Sequence, residues 1–281
     1  MEKLTLTVEG LNAPQKIRDY LKRYGFSTSL IAIVKYDMVR LNNIAVHMRE
    51  LVKNGDVIEI DMPEEEPTPL IPYDINLDVI YEDEHFIAVN KPISMPTHPS
   101  RGNSLPTLAN ALRHYFGKPF VYRSITRLDR DTSGIVLVAK DRITASRLSA
   151  LMKSGKIIKK YTALVSGVPY PAEGRIDAPI KRESEDSIIR VVAPDGKNAV
   201  TNYSTVSVNA DGNAILLVNP ITGRTHQIRV HMAYIGHPLV ADFLYGNRAD
   251  GDTYKLHCSA LELPHPYTGE ALVLRSQPDF I

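Results

Sequence analysis

The segment Thr126-Arg-Leu-Asp-Arg-Asp-Thr-Ser-Gly134 places one carboxylate, Asp129, between two guanidinium groups, Arg127 and Arg130, with Asp131 beside them. Opposite charge nearby favours the ionised carboxylate. A carboxylate kept in that form can attack an electrophilic carbon, or take a proton, without first losing one of its own. Thr132, Ser133 and Gly134 suit a tight turn that would present it. Charge pattern alone favours a plainer reading, a surface loop of compensating salt bridges.

A second polar group lies in Thr222-Gly-Arg-Thr-His-Gln-Ile-Arg-Val-His-Met232. Thr225 is placed to cap a helix whose buried stripe is Ile228, Met232 and Ile235, and Gly236 with Pro238 ends it. His226 and Arg229 are neighbours on its surface, and Arg224 stands at its start. Without further information this is an amphipathic helix with an ordinary polar face. His226 and His231 would need a carboxylate or cysteine to hold a metal, and none accompanies them, so no metal is expected. The single cysteine, Cys258, excludes an internal disulfide and a cysteine-rich zinc site. No Walker loop or Rossmann glycine pattern is present, and no cofactor is expected. Tyr161, in a strand-like run, reads first as core packing.

The elements that must position these residues follow from patterning. Ile135-Val-Leu-Val-Ala139 is apolar throughout and suits a buried strand directly after the carboxylate loop. Asp141 can cap a helix carrying Thr144, Leu148, Leu151 and Met152 on one face. Residues 79–80, 86–89, 161–165, 199–208 and 214–218 read as strands, and 108–116 as a helix. Helices are interspersed irregularly, so an α+β domain on a mixed, mostly antiparallel sheet is expected. Residues 63–76 hold four prolines and an acidic run and read as a linker. They divide a small α+β unit, residues 1–62, from a larger domain, residues 77–281. In the small unit Pro14 opens a helix with Ile17, Tyr20, Leu21 and Tyr24 on one face, and Gly25 stops it.

The net charge of +1 points to no particular partner. Its distribution does: residues 113–160 carry 12 Lys and Arg against 3 Asp, which suits a polyanion. Solvated helix faces are the plainer account of the same charges. The first ten residues lack the apolar run of a signal peptide, and no stretch is long enough to span a bilayer, so a cytoplasmic protein is expected.

The loop Arg127-Leu-Asp-Arg-Asp-Thr-Ser-Gly134 resembles the signature of RluA-type pseudouridine synthases. Further matches run in order: Tyr81-Glu-Asp-Glu, Val89-Asn-Lys-Pro92, Lys160-Tyr161, residues 222–232, Gly236-His-Pro-Leu239, Asp242-Phe-Leu-Tyr-Gly246, Leu256-His257 and His265-Pro266. The resemblance implies that Asp129 is the catalytic carboxylate, that Tyr161 lies against the target base, and that Arg229 pairs with Asp129. It implies that Leu256 packs under the site, and that Arg127, Arg130, Lys160, Arg224, His226 and Gln227 contact RNA. The substrate would be a uridine in structured ribosomal or transfer RNA, with no cofactor and the protein acting as a monomer. Thr126 departs from the histidine usual at that place. Residues 1–62 resemble, more weakly, an S4-like RNA-binding domain. Their helix region Ser29-Leu-Ile-Ala-Ile-Val34 lacks the usual basic face.

Two other classes compete. A non-catalytic RNA-binding or ribosome-assembly factor could share the fold, and Thr126 favours it. A sugar hydrolase would need a second carboxylate at a defined separation, and Asp131 is a poor partner.

Overall fold

The computed structural model describes residues 2–34, 36–99, 106–247 and 253–281. Its centre is a large mixed sheet in the order Glu173–Asp177, Val200–Val208, Ala214–Pro220, Ile158–Val165, Leu256–Pro264, Ser133–Ala139, Phe86–Lys91, Asp78–Glu82. Ala271–Arg275 adds to Leu256–Pro264, and Arg123–Ser124 adds to Ser133–Ala139. Among the described pairings of this sheet only Ser133–Ala139 with Leu256–Pro264 is parallel. The α+β expectation of a mostly antiparallel sheet therefore describes the molecule.

Ser133–Ala139 is buried at every position, which is why its sequence is apolar throughout rather than alternating. Leu112 and Leu148, from the helices Leu108–Tyr115 and Arg142–Lys153, join it in one core. The first helix begins with a Thr107–Asn110 capping box. The second begins at Asp141, whose Oδ1 accepts the N–H groups of Ile143 and Thr144 at 2.8 Å each. The strand Leu256–Pro264 was not anticipated. It pairs with Ile158–Val165, Ser133–Ala139 and Ala271–Arg275, so it is the hub of the sheet.

Residues near the N-terminus form their own core around Val8, Ile17, Leu21, Val39, Val52, Ile58 and Ile60. Its sheet runs Glu2–Thr7, Val57–Met62, Val39–Leu41, Ile44–Ala45. Asn42 and Asn43, at φ 49° and 69°, make the tight hairpin between the last two. Residues 63–76 carry no regular element, yet they do not hang free. Thr68 N–H donates to Phe120 O at 3.0 Å, Tyr73 N–H to Asn110 O at 3.1 Å, and Asn110 Nδ2 to Ile71 O at 2.8 Å. Glu65 is ion-paired with both Arg123 and Arg142.

Candidate active site

Asp129 opens the turn that enters the buried strand Ser133–Ala139, its carbonyl accepting the N–H of Thr132 at 3.2 Å. The turn is fixed almost residue by residue. Thr126 is buried, and its Oγ1 accepts the N–H of Leu137 at 2.9 Å, completing a ladder begun by Arg123–Ser124. Thr97 Oγ1 accepts from Leu128 N–H at 3.2 Å and donates to Leu128 O at 2.8 Å. Lys91, fully buried, directs its ammonium at three carbonyls: Pro92 at 2.7 Å, Met95 at 2.8 Å and Arg130 at 3.1 Å. Three donors thus meet three acceptors, the third on the turn itself. Burial pushes Lys91 down to about 7, and the charges of Asp131 and Asp129 oppose that shift. Thr132 Oγ1 meets Tyr254 Oη at 3.0 Å, and Ser133 Oγ meets His257 Nδ1 at 2.8 Å.

Gly134 closes the turn at φ 109°, where a Cβ would lie 2.4 Å from the carbonyl oxygen of Cys258. A glycine is therefore required for the parallel pairing of Ser133 and Gly134 with His257 and Cys258. Against this braced frame, the Asp129 carboxylate makes no hydrogen bond among the described residues. Among the described residues the one ion-pair candidate within 4.0 Å of it is the imidazole of His226, with Nε2 3.9 Å from Oδ2.

Several expected partners are arranged differently. Arg130 does not hold Asp129: it forks onto Asp131, with Nε 3.0 Å from Oδ1 and Nη2 2.9 Å from Oδ2. Arg127 is exposed and has no ion pair among the described residues. Arg229 does not pair directly with Asp129. It is bidentate to Asp242, with Nε–Oδ2 2.8 Å and Nη2–Oδ1 2.7 Å, and both side chains are buried. Its guanidinium lies 4.1 Å from the centre of the Tyr254 ring, beneath the carboxylate turn. The reason is valence: a buried guanidinium takes the carboxylate that matches its fork, and Asp242 does so.

Gln227 was expected to meet RNA and instead is buried with its amide satisfied internally. Its Nε2 donates to Val200 O and Thr201 Oγ1, and its Oε1 accepts from Thr222 Oγ1 and Arg224 N–H. Thr225 does not cap the helix. The N-cap residue is His226, in the left-handed region at φ 57°, and the helix runs Gln227–Tyr234. That helix is buried from Gln227 to Met232, so it has no ordinary polar face. His231 is structural, bonded to Thr201 Oγ1 at 2.8 Å and Ala178 O at 2.9 Å. Arg224 is exposed, with Nε on Asn198 O at 2.9 Å. Lys160 is ion-paired with Glu262.

Tyr161 lies at a bulge, pairing with Cys258 on one side and Val218 on the other. Burial, then the nearby Cys258 and Asp129, push its phenol well above the ordinary range. It therefore stays protonated, an apolar wall with a polar edge rather than a free base. Leu256 is buried at the start of its strand, paired with Ala163. Asp129, Tyr161, His226, Arg229, Leu256 and Tyr254 thus converge on one end of the sheet. Lys91, Asp242 and Tyr254 carry much of the geometry and were missed as site residues. A lysine ending the apolar strand Phe86–Lys91 was the visible signal for the first. Among the described residues no cluster of His, Cys, Asp and Glu could hold a metal ion.

Comparison with known proteins gives a consistent picture. A family model described as RNA pseudouridylate synthase matches residues 85–234. The RNA pseudouridine synthase YjbO of Bacillus subtilis is 38% identical over 90% of this chain and 92% of its own length. The ribosomal large subunit pseudouridine synthase D of Haemophilus influenzae is 34% identical over 97% of this chain and 91% of its own. The structure of human RNA pseudouridylate synthase domain containing 1 superposes with a TM-score of 0.63 at 27% identity, covering 73% of this chain and 85% of that one.

Proposed function

The chain belongs to the RNA pseudouridine synthase family, and from that premise we propose that Asp129 is its catalytic carboxylate and large-subunit ribosomal RNA its substrate. The enzyme is an isomerase: it converts uridine to pseudouridine in RNA. The reaction breaks the bond from ribose C1′ to base N1, turns the base and rejoins it through C5. It needs a carboxylate at the sugar, a wall that keeps the detached uracil, and removal of the C5 proton. One observation carries the assignment of Asp129. Its neighbours in the turn are tied down by hydrogen bonds, while its own carboxylate makes no hydrogen bond among the described residues.

In this reading Tyr161 and Leu256 bound the base, and the protonated phenol of Tyr161 hydrogen-bonds or relays rather than deprotonating C5 unaided. Arg229 acts as a scaffold under the site, through Asp242. Of the arginines expected to contact RNA, Arg127 and Arg224 are exposed and outside any ion pair among the described residues, so they are the ones offered to phosphates. The target base must leave its stack, which costs a few kcal/mol and least in loops. The reading favours recognition of folded RNA with splayed bases.

The name of the Haemophilus relative supports ribosomal RNA as the substrate. Residues 1–62 serve, in the same reading, as an S4-like RNA-binding unit joined through 63–76 to the catalytic domain of residues 77–281. In the same reading the protein acts in the cytoplasm as a monomer. No helix among the described residues is long and apolar enough to cross a membrane.

The test is a map of pseudouridines in ribosomal RNA from cells with the gene, without it, and carrying Asp129→Asn. Asn keeps the shape and removes the charge, so the site lost with the gene should stay unmodified although the variant folds. Full modification by the Asp129→Asn protein would refute the carboxylate. Loss of a transfer RNA site instead would refute the substrate alone.

A further inference from the structure

We infer that His226 is a positioning residue for the isomerisation, presenting an Nε2–H of fixed tautomer to the Asp129 carboxylate rather than binding phosphate. The inference rests on Asp129 as the catalytic carboxylate.

The first observation is the backbone. His226 stands at φ 57° and ψ 18°, at the N-terminal end of the helix Gln227–Tyr234, and makes no side-chain cap bond there. A side chain with a Cβ adopts this region at a cost. The strain is unexplained by capping, and it aims the ring out of the helix toward the carboxylate turn.

The second observation bears on which ring nitrogen carries the proton. Arg190 N–H donates to Tyr245 Oη at 2.9 Å, and Tyr245 Oη lies 2.7 Å from His226 Nδ1. Among the described residues Nδ1 is the one acceptor placed for the phenol proton, so the hydroxyl is assigned as donor to it. Nδ1 is then the acceptor of a neutral imidazole, and Nε2 carries the hydrogen. Nε2 is the atom facing Asp129 Oδ2 at 3.9 Å.

The third observation is electrostatic. The charged groups around the ring are Asp129, Arg229, Arg190 and Asp242. Burial holds the imidazole below its ordinary range; Asp129 and Asp242 oppose this, while Arg229 and Arg190 add to it. The phenol of Tyr245 is raised by burial, so it keeps its proton. A neutral, mostly covered imidazole is a poor phosphate ligand and a sound hydrogen-bond donor.

The chain of support continues outward. Tyr245 N–H donates to Asp242 Oδ1 at 3.2 Å, and Asp242 is the partner of Arg229. Arg229 is therefore linked to Asp129 through Asp242, Tyr245 and His226, besides the direct attraction between the two charges. The 3.9 Å gap is too long for a hydrogen bond and closes with about 1 Å of carboxylate movement. One Asp129 oxygen would then accept Nε2–H while the other faces the ribose.

The test uses full-length protein, in saturating excess over total RNA extracted from cells lacking the gene, with the single-turnover rate and the RNA affinity both measured. His226→Asn tolerates the left-handed backbone and can still reach Tyr245, but it leaves no donor near Asp129. It should lose about 10- to 100-fold in rate with RNA affinity unchanged. His226→Gln carries an amide N–H to the Nε2 place and should recover much of that loss. Tyr245→Phe, which removes the tautomer lock but keeps the ring, should slow the reaction by about 2- to 10-fold. It also serves should the His226 variants fail to fold.

A full rate for His226→Asn at saturation with weakened affinity would make His226 an RNA contact and overturn the inference. Equal slowing by Asn and Gln would leave only a structural role and overturn it as well. Asp129→Asn is run alongside: if it remains active, the carboxylate assignment fails, and this is distinct from an inactive Asp129→Asn with a fully active His226→Asn.

Discussion

Arg229 shows why a residue can be found from sequence while its partner is not. Its identity and rough location were legible in Thr222–Met232, but the guanidinium is spent on Asp242, 13 positions later, which no local pattern links to it. The consequence is energetic. Asp242 is completely buried, and its Oδ1 also accepts the N–H groups of Leu244 and Tyr245. Arg229→Ala would strand that charge, and breaking one partner of a buried pair typically costs about 3–5 kcal/mol. We expect Arg229→Ala and Asp242→Ala each to lose stability on that scale, and the double variant to lose clearly less than their sum. Urea denaturation of the four proteins measures the coupling. Strictly additive losses would dissolve the pair. A stable Arg229→Ala protein with no activity would return Arg229 to direct service at Asp129.

At the scale of elements, the turn 126–134 was legible as a motif and its support was not. The support comes from segments far away in the chain, Lys91, Thr97, Tyr254 and His257, which only the folded sheet brings together. Buried strands and capped helices declared themselves, because Ile135–Ala139 is apolar and Asp141 precedes a helical stripe. The hub strand Leu256–Pro264 did not: Ser259 and Glu262 interrupt it, and its role lies in having three neighbours. The helix Gln227–Tyr234 misled for the opposite reason, since its polar residues are buried and bonded rather than facing water. Thr126 illustrates the same limit. In the sequence it is only a departure from the usual histidine; in the structure it is a buried ladder acceptor for Leu137 N–H, so its replacement by histidine should cost stability. The sharper test of the turn is Gly134→Ala. Its φ of 109° strains any side chain, and the new methyl would press on the Cys258 backbone. Strain and overpacking together should cost about 2–6 kcal/mol. Thermal denaturation should show the loss, with activity falling as the Asp129 turn shifts. A Gly134→Ala protein of native stability would mean that the two strands separate there at no cost.

Over the whole molecule, composition made residues 63–76 look like a tether and residues 113–160 look like a polyanion-binding surface. Both impressions weaken for one physical reason: many of those charges are used inside the protein. Arg123 and Arg142 share Glu65, Lys140 holds Glu82, Arg130 holds Asp131 and Lys160 holds Glu262. Arg147 lies between two rings, 4.6 Å from the centre of Tyr24 and 4.0 Å from that of Tyr267. Tyr24 belongs to the N-terminal core and Tyr267 follows the hub strand, so one guanidinium clamps the small unit to the large one. Ile143 packs into the N-terminal core beside it, and Arg142 Nη2 donates to Pro63 O at 2.6 Å. The small unit is therefore docked against the helix Arg142–Lys153, and removing it would bare that face. Arg147→Ala deletes both ring contacts, each of about 0.5–2 kcal/mol. Amide exchange in the helix Ile17–Tyr24 should then quicken, because the unit loses part of its brace while keeping its own core. If docking also aligns the RNA, affinity should fall while the single-turnover rate at saturation is kept, since Arg147 is remote from Asp129 in the hydrogen-bond network. Unchanged exchange would show that the clamp adds no stability. A slower rate at saturation would show that docking reaches the active site itself, through the same strand hub that carries Leu256 and Cys258.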